Sequence, residues 1–395
     1  MLQDHARLDV DESSDREIAE AQRTKPWPRY LEAALGFRDH WYLAAFSADL
    51  PEGECRGVTL LGEPVLLKRV GGAVYAVQDR CAHRGTRFST RPECYTANTV
   101  TCWYHGFTYD VRDGRLVAIV TDPESALIGK LHLRTYPVVE RKGLVFVFVG
   151  DLDPPPPLAA DVQPGLLDAD LAIVPRGEQQ VVASNWRLAA ENGFDAAHIY
   201  IHRNSPLLTE TRVTLPLGAW MYSREGMVVA PEEGPKGVVK GAGQKALIWE
   251  AQIEGTTVAA RFRPGQEGVT PFAPDVSMWL PCGLVVDGFP LPGTYQFEWY
   301  VPIDERSHRY VVTWGRRVAS EAEAAAFYAE IDARWRDLVV NQFNNDDVAA
   351  REGMEEFYGE LGGWEKERLF RPDILITEWR KLAHAHGRTI QRERR

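Results

Sequence analysis

Cysteine is scarce in this chain, at Cys55, Cys81, Cys94, Cys102 and Cys282 among 395 residues. So few, and so widely scattered, they exclude a small disulfide-stapled secreted scaffold and fit a reducing, cytoplasmic setting. Basic charge is also short. Lys and Arg number 45 against 56 Asp and Glu, a formal net charge of -11. That balance argues against a nucleic-acid surface, which needs a basic stripe. Long apolar runs are missing too. The strongest, Gly143 to Gly150, is strand-sized, far below the roughly 18 residues of a membrane span. The first residues, MLQDHARLDVDESSDREI, lack the apolar core of a secretory signal. No GxGxxG fingerprint sits in a βαβ unit, so the chain itself holds no NADH or flavin site of that kind. No internal repeat is visible, and low complexity is confined to the prolines of Asp153 to Pro157. What is present is an ordinary 45% hydrophobic content, enough for a sizeable core, in a length that suits two or three domains.

The stretch from Cys81 to Asp110, CAHRGTRFSTRPECYTANTVTCWYHGFTYD, carries the strongest signal. Cys81-Ala-His83 and Cys102-Trp-Tyr-His105 are two mixed Cys-His pairs. Two thiolates and two imidazoles suit either zinc or a Rieske [2Fe-2S] centre, in which two His serve one iron. Zinc sites usually pair like with like, as Cys-x2-4-Cys and His-x3-5-His. Two mixed loops facing each other would instead give one iron both Cys and the other both His, which favours the cluster.

Along the chain, residues 1–15 are acidic. Arg16 to Leu35 has a helical pattern broken by Lys25-Pro26-Trp27-Pro28. From Phe37 the pattern turns to short β-like runs with Gly turns, at Val58–Leu61, Val65–Lys68 and Ala73–Val77. Leu133–Val139 and Leu144–Val149 read as closing strands of a small antiparallel domain. The proline run to Pro157 is stiff and marks a boundary. Beyond it, Gln180–Ala183 reads as a strand and Trp186 to Ile201 as one helix. Gly193 inside that helix costs about 1 kcal/mol relative to Ala, which points to a distortion or a close approach by another group. Residues 211–315 are β-rich. Glu321 to Val340 and Asn344 to Tyr358 are helical. The tail holding Arg388, Arg392, Arg394 and Arg395 reads as a solvated basic terminus.

A second constellation is Asp195-Ala-Ala-His198-Ile-Tyr-Ile-His202. Residues four apart share a helix face, so His198 and His202 can grip one metal, with Asp195 one turn earlier on the same side. The HExxH protease reading fails, because Ile199 occupies the place of the general-base Glu. A third ligand is available in Phe343-Asn-Asn-Asp346-Asp347. Two His and one carboxylate form the facial triad of non-haem Fe(II) oxygenases. Alone, His-x3-His on a helix is a weak signal, and Asp346 and Asp347 are both open as the third ligand.

Taken together, residues from about Phe37 to Tyr358 resemble the large catalytic subunit of the Rieske non-haem iron ring-hydroxylating oxygenases. The segment Glu191-Asn-Gly-Phe-Asp-Ala-Ala-His-Ile-Tyr-Ile-His202 resembles the branch that attacks carbazole, whose neighbours include oxoquinoline monooxygenases. Many relatives place one more residue between the two iron His. Rieske proteins of the cytochrome bc type fit poorly, since Arg84 and Gly85 follow His83 and Tyr104 precedes His105, where that class carries an extra Cys pair.

The resemblance implies an α+β fold. A small antiparallel β Rieske domain (37–157) would join a larger catalytic domain (158–395) with an antiparallel sheet flanked by helices, on which residues 1–36 pack. Cys81 and Cys102 would bind one cluster iron, His83 and His105 the other. His198, His202 and Asp347 would hold a mononuclear Fe(II), Asp347 being preferred because the family's ligand is the second acid of such a pair. Asp195 would link a cluster His to an iron His across a subunit boundary of a homotrimer. Electrons would come from a separate ferredoxin fed by an NAD(P)H-dependent reductase. Trp103 and Tyr104 are candidates to line its docking point, and core packing explains them about equally well. The substrate would be a fused aromatic heterocycle, with angular dioxygenation of carbazole to 2'-aminobiphenyl-2,3-diol as the leading expectation. Pocket candidates are Gly193, whose carbonyl could accept a heterocycle N–H, and Ile199, Val276, Leu284, Val286, Phe289, Gln296 and Phe343. The alternatives are a monooxygenase or O-demethylase on a related scaffold and, from another class, a plain Rieske electron carrier. The second ligand set beyond the linker argues against the carrier.

Overall fold

A computed structural model of the chain describes residues 12–195, 197–207, 228–229, 234–239, 249–254, 257–262 and 275–392. Much of the β-rich expectation for residues 211–274 lies outside the described residues. The fold is α+β, with antiparallel sheets throughout the strand pairings.

The first half is built from short antiparallel strands. One sheet orders Cys55–Leu60, Glu63–Val70, Ala73–Gln78 and Thr135–Tyr136. A second orders Thr99–Thr101, Phe107–Asp110 and Leu116–Ile119, and a third Val138–Arg141, Leu144–Val149 and His40–Phe46. Tight turns with positive φ at Gly62, Gly71 and Gly72 close the hairpins of the first sheet, a conformation that glycine adopts without steric cost. Beneath the Cys-His loops lies a separate small core of Leu66, Val77, Phe88, Val100, Phe107, Tyr109, Leu116 and Ile119, with Cys81 and Cys102 among its buried members. The proline run is docked rather than free, because the Trp41 indole donates to the Pro156 carbonyl at 2.7 Å.

The second half is organised by a large antiparallel sheet. Its order is Leu171–Ile173, Ser307–Arg317, Thr294–Asp304, Gly283–Asp287, Asp275–Trp279, Gly237–Val239 and Val228–Val229, with Glu178–Val182 also pairing to Ser307–Arg317. The two longest strands, Thr294–Asp304 and Ser307–Arg317, form one hairpin. The helix Trp186–Phe194 packs on this sheet and touches the helices Asn344–Gly359 and Ile374–His386. Arg380 ties two of these elements together. Its guanidinium grips Glu191 at 2.7 and 2.8 Å and Glu367 at 2.7 and 2.9 Å, with all three side chains buried. The Tyr30 hydroxyl donates to Glu191 at 2.8 Å as well. Such a pairing offsets the cost of burying the charges only because every ionised oxygen has a donor. At the chain ends, Phe37–Arg38 pairs with Thr389–Ile390, and Pro28–Glu32 packs on Ile374–His386. The N-terminal helical region is two helices, Glu12–Thr24 and Pro28–Glu32, interrupted where Lys25 takes a positive φ before Pro26. Glu321 to Val340 is helical throughout, but with a π-helical stretch at Ile331–Trp335.

One expectation is corrected. Trp186 to Ile201 is not one helix. The α-helix ends at Phe194, Asp195 is extended, and a 3₁₀ segment runs from His198 to Asn204. Two causes are visible. A Cβ at Gly193 would run into the Tyr300 hydroxyl and sit 3.0 Å from Leu284, so the sheet presses on the last turn. The Asp195 carboxylate then accepts from the Ala197 amide at 2.6 Å, and this local side-chain bond competes with helix continuation.

Candidate metal centres

The two Cys-His loops are conformational copies. In the first, the Cys81 amide donates to the Thr86 carbonyl at 2.9 Å and the Gly85 amide to the Cys81 carbonyl at 2.8 Å. In the second, the Cys102 amide donates to Phe107 at 2.8 Å and Gly106 to Cys102 at 2.9 Å. The turning glycines share one left-handed geometry, φ +74° at Gly85 and +73° at Gly106. The thiols point inward and the imidazoles outward: Cys81 and Cys102 are buried, His83 is exposed and His105 half-exposed. The two rings meet edge-on with centroids 4.7 Å apart, and His83 stacks on Phe107 at 4.8 Å. The Tyr109 hydroxyl lies 3.6 Å from the Cys81 sulfur. Two inward thiols and two outward imidazoles at the ends of paired loops form the donor set a Rieske cluster needs. Trp103 and Tyr104 are exposed beside them. That position favours a surface role over core packing.

The second centre joins distant parts of the chain. His198 and His202 belong to the 3₁₀ segment, and Asp347 to the first turn of the Asn344–Gly359 helix. Their ligand atoms lie within 4.8 Å of one another. Asp347 Oδ1 is 3.6 Å from His198 Nε2 and 3.4 Å from His202 Nε2. His198 and His202 do not share an α-helix face as the four-residue spacing predicts, since the local helix is 3₁₀. The two rings converge nonetheless, with centroids 5.6 Å apart at 89°. The adjacent acids are sharply different. The Asp347 side chain is 7% exposed, whereas that of Asp346 is 48% exposed and 3.6 Å from His202 Nδ1. His202 Nε2 and Asp347 Oδ1 are buried without a hydrogen-bond partner. Orphaned buried polar atoms are costly, and atoms that converge on one point fit a metal ion there. Burial works against a charge on Asp347, but the His202 and His198 imidazoles and the Arg351 guanidinium hold its carboxyl well below the ordinary carboxylate range.

The predicted pocket residues fall into two groups. Phe343 stacks on the His202 ring at 3.6 Å and contacts Phe289, with centroids 5.2 Å apart. Val276, Val286 and Gln296 form one cross-strand row, and Leu284 lies on the same face two residues from Val286. Leu284 and Tyr300 meet Gly193 there, so this is the face under the Trp186–Phe194 helix. Gln296 is spanned at both ends, donating to Glu298 at 2.6 Å and accepting from the Trp314 indole at 3.0 Å. Ile199 is half-buried against the main core. Asp195 sits at the helix break. Its backbone carbonyl pairs with His198 Nδ1, and its side chain lines a cavity of about 450 Å³ with His198, Asn192, Met354, Tyr358 and Asp373.

Sequence reasoning missed the polar network behind the second centre. Arg351 donates to Asn192 at 2.6 Å and lies over the rings of Tyr300 and Tyr310, 5.0 and 4.5 Å from their centroids. The Tyr300 hydroxyl donates to Glu298 at 2.6 Å, and Asn344 donates to the Tyr310 hydroxyl at 3.0 Å. Burial pushes the Glu298 carboxyl up. One sequence signal was available: Arg351 is four residues after Asp347, on the same helix face.

Comparison with known proteins follows the same division. Residues 40–137 match the family model described as the Rieske [2Fe-2S] domain, and residues 148–391 the model described as homotrimeric ring hydroxylase. The chain is 48% identical over 380 residues to the terminal oxygenase component of carbazole 1,9a-dioxygenase from a Sphingomonas species, covering 95% of this chain and 98% of the relative. It is similar to the solved terminal oxygenase of carbazole 1,9a-dioxygenase from Nocardioides aromaticivorans IC177, with TM-score 0.87, 47% identity, and coverage of 94% of this chain and 100% of that one. A reduced complex between oxygenase and ferredoxin of carbazole 1,9a-dioxygenase matches at TM-score 0.84 and 43% identity, covering 98% and 97%. Among the described residues no helix is long and apolar enough to cross a membrane. The chain is an oxidoreductase and belongs to the Rieske ring-hydroxylating oxygenases, as a terminal oxygenase of the homotrimeric ring-hydroxylase family.

Proposed function

We propose that this chain takes electrons from a separate ferredoxin, fed by an NAD(P)H-dependent reductase, and uses O2 to dihydroxylate carbazole at an angular position, giving 2'-aminobiphenyl-2,3-diol. The observation that carries this reading is the convergence of His198, His202 and Asp347 in a chain that also holds a Rieske donor set. Relatives named as carbazole 1,9a-dioxygenase components at 48% and 45% identity, and the ferredoxin complex, support the substrate and the donor. In this reading Cys81 and Cys102 bind one cluster iron, His83 and His105 the other, and the buried triad holds a mononuclear Fe(II). That iron, when bound, supplies open coordination positions for O2. Phe343, stacked on His202, and Phe289 beside it position the aromatic ring. Gly193, Leu284, Val286, Val276, Gln296 and Ile199 belong to the surrounding wall. The first turn after Phe194 leaves the Gly193 carbonyl a candidate acceptor for the heterocycle N–H.

Asp195 acts as a positioning carboxylate. It is placed at the helix break beside His198 and on the wall of an open cavity, where a cluster imidazole of a neighbouring subunit in a trimer can reach it. Its hydrogen bonds would fix imidazole orientation. Residues 1–36, 37–157 and 158–395 are the proposed N-terminal, Rieske and catalytic segments. All five cysteines are free, which suits a cytoplasmic site. The test is a product assay with ferredoxin, reductase, O2 and a panel of carbazole, dibenzofuran, fluorene and 2-oxoquinoline. The expected result is the diol from carbazole as the fastest-formed product. Monohydroxylated products alone would contradict the reading.

A further inference from the structure

Three of the five cysteines sit in cores, but Cys55 and Cys94 do not. Cys55 is half-buried at the start of the Cys55–Leu60 strand, and Cys94 is exposed in the connection between the two ligand loops. Their sulfurs are 3.7 Å apart although 39 residues separate them in sequence. The register explains the encounter. Cys55 pairs across the sheet with Lys68, and Lys68, itself buried, donates from its ammonium to the Thr99 carbonyl at 2.9 Å. The same ammonium helps to hold the Cys94 thiol below its ordinary range. Glu93 bridges to Thr101, holding the connection down on this edge.

We propose that Cys55 and Cys94 are a peroxide-reactive dithiol, in which Cys94 is the attacking sulfur and Cys55 the resolving one. The Cys94 thiolate attacks one oxygen of hydrogen peroxide. The O–O bond breaks, Cys94 becomes a sulfenic acid, and hydroxide leaves and is protonated to water. The Cys55 sulfur then attacks the Cys94 sulfur. The S–O bond breaks, the S–S bond forms, and the departing hydroxide takes the Cys55 proton as a second water. Two thiols lose two electrons and one peroxide gains them.

The asymmetry of the pair assigns the roles. Cys94 is exposed and open to peroxide, whereas Cys55 is half-buried; contact with the Cys55 thiol, with help from Lys68 against the cost of burial, pulls Cys94 below the ordinary thiol range. The thiolate is the nucleophile, so such a cysteine reacts first at neutral pH. Contact with Cys94, together with burial, pushes Cys55 well above the ordinary thiol range, so it acts only after Cys94 is oxidised. The remaining non-ligand thiol, Cys282, is fully buried and pushed up by burial, and is inert by the same reasoning. The crosslink would enclose the Cys81-His83 ligand pair and tie the segment before Cys102 to the neighbouring sheet.

The full cluster-loaded protein would be treated with hydrogen peroxide at one to ten equivalents, while the visible absorbance reports cluster integrity. The mixture would then be alkylated and digested without reductant. The expected product is a Cys55–Cys94 crosslinked peptide, lost on adding dithiothreitol. C55A should give a Cys94 sulfenic acid that dimedone traps, and C94S neither product. Iodoacetamide should label Cys94 half-maximally at a pH below that of an ordinary thiol in the untreated protein, and at higher pH in K68M. Cys94 advancing to sulfonate without a crosslink, or labelling only with the pH profile of an ordinary thiol, would overturn the proposal.

Discussion

The two candidate centres are assembled by opposite strategies. The Rieske loops are local and repeated. Each sets a Cys, a turning Gly and a His within a few residues, closed by the same two backbone hydrogen bonds, and each leaves its imidazole facing outward. The triad is non-local and buried. Its His come from an irregular 3₁₀ stretch and its carboxylate from a helix more than a hundred residues later. Only packing against the sheet and the Arg351 network brings them together. A centre that must receive electrons from outside is built at the surface. One that must exclude water is built where three elements meet. The difference implies that single changes should damage one centre and spare the other.

The largest effect is expected where the two centres have to communicate. Asp195→Ala should leave both centres loaded and the cluster reducible by ferredoxin. Turnover should nonetheless fall by orders of magnitude, with slow cluster reoxidation in the presence of substrate and O2. Stopped-flow absorbance of the cluster, followed with product yield, measures this. Rapid reoxidation coupled to normal product would show that Asp195 bridges nothing.

The next effect sharpens the comparison inside the repeated loops. Gly85 and Gly106 have the same φ, and an Ala at either costs about 1–2 kcal/mol for the left-handed conformation. The surroundings differ. A Cβ on Gly85 meets nothing within 4 Å, whereas one on Gly106 falls 2.6 Å from Val120 Cβ. Gly106→Ala should therefore lose about 1–3 kcal/mol more than Gly85→Ala through overpacking. Denaturant unfolding followed by cluster absorbance tests the order. Equal losses would mean that the loops are not held as described.

What the sequence disclosed follows from the same contrast. The cluster ligands were legible because the loop that orients them is contiguous, and spacing alone distinguishes mixed Cys-His pairs from zinc pairs. The helix break at Asp195 was not legible, because Tyr300, more than a hundred residues away, presses on Gly193. Gly193 did signal a close approach, without naming the partner. Asp346 and Asp347 are chemically identical neighbours. Only the packing of their helix buries one and exposes the other. The Glu298, Tyr300 and Arg351 network was invisible because alternation along two strands marks a face without saying which polar groups meet on it.

A smaller, selective effect is expected at Phe343. Phe343→Ala removes the ring stacked on His202 and its contact with Phe289. A cost of about 3 kcal/mol is typical of such a buried truncation. Because reacting atoms must be placed within about 3–3.5 Å, the product distribution should change more than metal loading. Chromatography of products from carbazole and fluorene checks this. An unchanged distribution and affinity would reduce Phe343 to core packing.

The central claim is that one chain holds two independent metal centres. It is tested most directly by iron and acid-labile sulfide analysis of anaerobically purified wild-type protein and His198→Ala. A [2Fe-2S] cluster plus one mononuclear iron predicts three irons and two sulfides per chain for the wild type. The variant should hold two irons, with its sulfide and cluster absorbance unchanged. Three irons in the variant, or iron and sulfide lost together, would contradict the account.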